Sequence, residues 1–308
     1  MNLLGKSEGL YTDMASEVTA ELDQRKRPWY LNLSILAVTV ALFIGLGLLG
    51  DGIRGALILV VVIIIHELGH LAAMKISGYG NTQVFFVPLF GAGVAYKGAS
   101  ASGNKRAMVD LAGPIPGILL AIVLAILYWI TDIDIYREIA YTAVLLNLFN
   151  LLPLFPLDGG RFMFDVLFVR HRIAEVVFKI IAALCIFGLS VALEAWFLAL
   201  IGIFTLISIP ASVKTAKLAL SLKQEFGDEL QANICEAPAD VRQRVVEEVI
   251  KKIPGSNARQ TAAKVRDVWD RVIVRPPRLS GIVGFLFLYV FVLLVGTLLW
   301  LLLTAWTV

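Results

Sequence analysis

The chain has 308 residues, 58% of them hydrophobic and 17% charged, with mean hydropathy +0.81 and a formal net charge of +3. That apolar balance excludes an ordinary soluble domain, and so small a net charge gives no sign of a nucleic-acid partner. The two cysteines, Cys185 in an apolar run and Cys235 in a polar segment, do not form the framework of an oxidised, secreted scaffold.

Residues 1–28 are polar, with no apolar core before a small-residue cleavage site, so no cleavable signal sequence is expected there. Within them, 11–24 is expected to be an interfacial helix, with Trp29 and Tyr30 as anchors at the membrane boundary. Apolar stretches long enough to span a bilayer follow at 31–50, 55–77, 107–131, 138–157, 174–192, 194–212 and 280–304. Pro153 and Pro156 should break the end of the fourth, and the fifth and sixth read as a tight hairpin around Glu194. Between the second and third spans, Gln83–Tyr96 is rich in strand formers and is interrupted by Pro88 and glycines, which predicts a bend or hairpin. Segment 213–279 carries thirteen basic and nine acidic residues, so it can lie along anionic lipid head groups. There, Val241, Val245, Val249 and Ile253 recur at helical spacing, as do Val265, Val268, Trp269 and Val272. Pro254-Gly255 separates the two helices, with Ser256 as the expected cap of the second.

The expected fold class is therefore an all-α polytopic membrane protein of about seven transmembrane helices, with a small membrane-associated β-hairpin and a short helical cytoplasmic module. Its parts are a cytoplasmic segment 1–30, a transmembrane catalytic region 31–212 with its core at about 55–165, a cytoplasmic helical module 213–279, and a last transmembrane helix in 280–308. With the amino terminus inside, only Arg54 and Arg137 of the 27 Lys and Arg fall outside. The positive-inside rule thus places the amino terminus in the cytoplasm and the carboxyl terminus outside.

The second span contains Ile63-Ile64-Ile65-His66-Glu67-Leu68-Gly69-His70. His66 and His70 stand one turn apart on one helix face, so both can reach one metal ion, and Glu67 occupies the general-base position of a zinc-protease helix. Three ionisable groups within five residues of a lipid-facing helix cost about 3 kcal/mol each on insertion scales, so they need a compensating partner. A catalytic zinc takes three protein ligands, and the one other histidine, His171, lies between Arg170 and Arg172 in a basic stretch that suits a solvated role. Asp158 is the better candidate. It ends the stretch Asn150-Leu-Leu-Pro153-Leu-Phe-Pro156-Leu157-Asp158-Gly159-Gly160, where prolines stop the helix and leave a carboxylate at the cytoplasmic side of the membrane.

These two motifs, in this order and separation, resemble the signatures of the site-2 protease family of intramembrane zinc metallopeptidases. Asn147 and Gly113-Pro114 also look like family features, and the resemblance covers roughly residues 55–165. It implies one zinc per chain held by His66, His70 and Asp158, with Glu67 activating water and Asn150 near the scissile carbonyl. It also implies a membrane-associated hairpin, and no PDZ or CBS module is recognisable in the flanks. The expected activity is hydrolysis of peptide bonds in or near transmembrane segments of membrane protein substrates, in a multi-pass protein of a prokaryotic cell membrane. Two other classes are weighed against it. A zinc or ion transporter also places histidines and carboxylates mid-membrane, but needs neither Glu67 nor the proline-broken Asp158 motif. A catalytically silent scaffold that binds membrane helices leaves the complete set of four residues unexplained.

Overall fold

The computed structural model describes residues 3–23, 52–79, 83–87, 91–95, 102–154, 157–169, 172–192, 194, 196–226 and 234–305. The chain divides into two compact units, one of residues 27–97, 102–167 and 276–308, the other of 1–26, 98–101 and 168–275.

The first unit holds the motifs. Helix α2, Gly52–Ile76, is apolar on every side between Arg54 and Lys75 but for the motif residues, and its 25 residues reach about 37 Å, enough to cross a bilayer. It stops because Gly78 turns left-handed (φ 76°), which lets Tyr79 N–H reach the Met74 carbonyl (3.0 Å) and Gly78 N–H reach Lys75 (3.1 Å). Strands β1, Gln83–Val87, and β2, Gly91–Ala95, pair antiparallel with Phe85 opposite Gly93. Helices α3, Gly103–Ala112, and α4, Pro114–Thr131, run on through Gly113, where Pro114 removes a backbone donor without turning the chain aside. Asp132 ends α4 in the left-handed region (φ 55°), and α5, Asp134–Asn150, returns antiparallel to it. Ala121, Ala125, Ala140 and Ala143 are buried where these helices meet α2 and the last helix, α11, Leu279–Ala305. Small side chains let helix backbones approach closely where lipid supplies no hydrophobic drive. Helix α5 is shorter than the predicted span 138–157: it stops at Asn150, ahead of Pro153. Helix α6, Asp158–Met163, then starts at the aspartate and loosens into a π-turn over Phe164–Phe168.

The second unit contains α1, Leu3–Asp23, α7, Arg172–Ala192, and α8, Trp196–Phe226, followed by α9, Ala239–Lys252, and α10, Ala258–Ile273. Helix α8 continues through residue 213 to Phe226, so the polar segment begins inside a helix. Val245, Val249, Ile253, Val265, Val268, Trp269 and Val272 are all buried, which accounts for their helical spacing. The cap of α10 is Asn257 rather than Ser256: the Asn257 side chain accepts from Gln260 N–H at 2.9 Å, while Ser256 Oγ donates to Gln260 Oε1. Glu175, 1% exposed, pairs with Lys179 at 2.9 Å and Arg271 at 3.1 Å, joining α7 to α10.

Among the described residues, five helical stretches are long and apolar enough to cross a membrane: Gly52–Ile76, Gly103–Thr131, Ala174–Ala192, Gly202–Phe226 and Leu279–Ala305. The stretch 31–50, together with Trp29 and Tyr30, lies outside the described residues.

Candidate metal centre

Helical periodicity brings His66 and His70 to one face of α2, and the break after Asn150 brings Asp158 opposite them. Asp158 Oδ2 lies 3.0 Å from His66 Nε2 and 3.1 Å from His70 Nε2, and the two Nε2 atoms are 3.1 Å apart. All three residues are buried.

The opposite nitrogen of each ring is engaged elsewhere. His70 Nδ1 donates to the Val109 carbonyl at 2.8 Å, and His66 Nδ1 donates to Asn147 Oδ1 at 2.8 Å. The amide of Asn147 cannot be turned the other way, because its Nδ2 donates to the Ala143 carbonyl at 2.7 Å. A neutral imidazole at either position therefore carries its proton on Nδ1, which turns three lone pairs toward one point. Such a group repels itself unless a cation lies among its members. Four ligands at 2.0–2.1 Å around a tetrahedral zinc stand about 3.3 Å apart, so the observed spacings, with a nitrogen, nitrogen and oxygen donor set, fit that ion.

Glu67 is buried beside the group, and its Oε2 meets no hydrogen-bond partner among the described residues. A buried, unpartnered carboxylate oxygen is costly for folding alone, and it suits a group that must handle a proton. Asp110, also buried, has a similarly unpartnered Oδ2.

Of the residues singled out in the sequence, His66, His70 and Asp158 come together, with Glu67 adjacent. Asn150 donates Nδ2 to its own helix, at the Leu146 carbonyl (3.1 Å), and is half-buried. His171 lies outside the described residues. The support given by Asn147 had one visible sign, an amide in an apolar helix one turn before Asn150. The Val109 carbonyl had none, since any residue supplies a carbonyl.

Gly113 is where α3 and α4 meet the two histidines. A Cβ there would lie 2.8 Å from His66 Cε1 and closer still to the His70 ring. Its backbone (φ −75°, ψ −59°) is ordinary helix, so alanine is excluded by space alone. Gly113→Ala is expected to weaken zinc binding by about 10-fold or more, by analogy with other disturbed ligand supports, as read by chelator competition. Unchanged affinity would mean that the rings can move aside.

The sequence model of peptidase family M50 matches residues 54–133 and 131–193. A zinc metalloprotease of Methanocaldococcus jannaschii is 32% identical over 152 residues, covering 47% of this chain and 44% of that protein. Stage IV sporulation protein FB of Bacillus subtilis is 27% identical over 187 residues, covering 59% and 62%. The chain thus spans about half the length of the curated relatives it matches. The solved site-2 protease of M. jannaschii aligns over 57% of this chain and 88% of that one, at 22% identity and a TM-score of 0.43. The match to peptidase family M50 runs through residues 54–193, the stretch that holds the whole candidate centre.

Proposed function

We propose that the protein is an intramembrane zinc metalloprotease that cleaves membrane protein substrates in or near their transmembrane segments. The observation that carries this reading is the convergence of His66, His70 and Asp158 with the buried Glu67 carboxylate beside them, in a helix apolar enough to span. Zinc, when bound by the three ligands, supplies a Lewis acid and makes water acidic enough to ionise near neutral pH. Glu67 takes the proton of the attacking water and delivers it to the leaving amine. The Asn150 amide donates to the carbonyl oxygen as charge develops there.

Seven spans are proposed, with the amino terminus in the cytoplasm and the carboxyl terminus outside. The 25 of 27 Lys and Arg that this arrangement keeps inside support it. We place the protein in a prokaryotic cell membrane, and the hairpin of β1 and β2 at the membrane, where a strand edge can take up an unwound substrate by backbone pairing.

The test uses protein purified in detergent and two single-span substrates, one with a Gly pair in its span and one all-Leu. Cleavage should stop when a chelator strips the metal and return with zinc. The Gly-pair substrate should be cut faster, since unwinding a stable helix in lipid loses hydrogen bonds that nothing replaces. Cleavage that persists without metal would reject the protease mechanism, and equal rates on both substrates would reject strand pairing.

A further inference from the structure

We propose that Tyr289, on the last helix α11, is a positioning residue for Asp158, holding the turn that presents this carboxylate to the metal. The proposal rests on the zinc reading above.

Asp158 stands where the chain has left one helix and is entering another. The carbonyls at the end of α5 lose their helical partners there, and hydrocarbon offers no water to replace them. The Tyr289 hydroxyl donates to one of these, the Leu151 carbonyl. The Tyr289 ring also stacks on Phe162, with centroids 4.9 Å apart and planes within 6°. Phe162 lies one turn after Asp158 on α6, so one side chain grips the turn on both sides of the ligand. Tyr289 is 3% exposed, and Leu151 and Phe162 are fully buried. Phe285, one turn earlier on α11, meets the edge of Phe162 at 6.5 Å. The turn folds closely over the same carbonyl, since a Cβ on Gly159 would collide with Leu151 O. Ligand geometry must be held to about 0.5 Å, which a proline-broken segment cannot do unaided. Helix α11 lies beyond residue 193, where the family match ends, so the motifs that mark the ligands say nothing of this support.

The experiment measures zinc affinity by chelator competition, and thermal unfolding, for the wild type and for Tyr289→Phe, Tyr289→Ala and Leu303→Ala. Tyr289→Ala should bind zinc about 10- to 100-fold more weakly, the usual consequence of losing an outer partner. Tyr289→Phe keeps the stack and loses one hydrogen bond, so a loss of about 3- to 10-fold is expected. Leu303 is equally buried on the same helix but packs in the separate cluster with Ile58 and Val144. Its alanine variant should unfold at lower temperature with unchanged zinc affinity. Should Tyr289→Ala not fold, the Phe variant decides. Zinc affinity within twofold of wild type in the folded Tyr289 variants overturns the proposal, as does an equal loss in Leu303→Ala. A wild type that holds no stoichiometric zinc overturns the metalloprotease reading itself, and this proposal with it.

Discussion

Glu67→Gln is expected to retain one zinc per chain and to cut a single-span substrate about 100- to 10,000-fold more slowly than wild type, the range over which a positioned base contributes. The substitution replaces one carboxylate oxygen with an amide of the same shape, so the packing of a residue that is 6% exposed should survive. His66, His70 and Asp158 keep their places because Glu67 bonds to none of them. What disappears is an acceptor able to take and return a proton. Zinc content separates this outcome from a damaged site, and near wild-type cleavage with zinc bound would remove Glu67 from the mechanism.

The second large effect concerns the ligands. His70→Ala should lose stoichiometric zinc, and Asp158→Ala should bind it far more weakly than the 10- to 100-fold expected for an outer partner. The geometry explains the severity. Asp158 Oδ2 stands 3.0 and 3.1 Å from the two imidazole nitrogens, and it is the one anionic member of the group. Without it, two neutral nitrogens must hold a dication in a medium of low dielectric constant. Metal content per chain in purified variants gives the answer. Full zinc in Asp158→Ala together with loss in His171→Ala would transfer the third position to His171.

Much of the centre was legible because its signals are local. Spacing of four residues on a helix fixes a common face, and the sequence around Pro153 and Pro156 predicts a helix end wherever it sits. Glu67 follows from adjacency alone. The remainder depends on contacts between distant segments. The Val109 carbonyl reaches His70 across 39 positions, and its side chain has no part in the bond. Tyr289 reaches Leu151 across 138. The extent of α8 was missed for a different reason. Residues 213–223 are polar enough to look like a new segment, yet their Ala, Leu and Lys are good helix formers, and no proline or glycine stands between residue 213 and Gly227. At α10, both Ser256 and Asn257 are competent caps, and only the placement of Gln260 decides between them.

The two histidines are held by partners of different kinds, and this makes them unequal under mutation. The ring of His66 leans on a side chain, so substitutions at position 147 can alter it by degrees: aspartate would make the imidazole more electron-rich, and leucine would release it. The ring of His70 leans on a main-chain oxygen that every amino acid carries. No replacement at position 109 deletes that acceptor, so drift in sequence reaches this ligand only by moving the helix beneath it. One half of the centre is thus open to gradual tuning, while the other stays fixed for as long as the fold does.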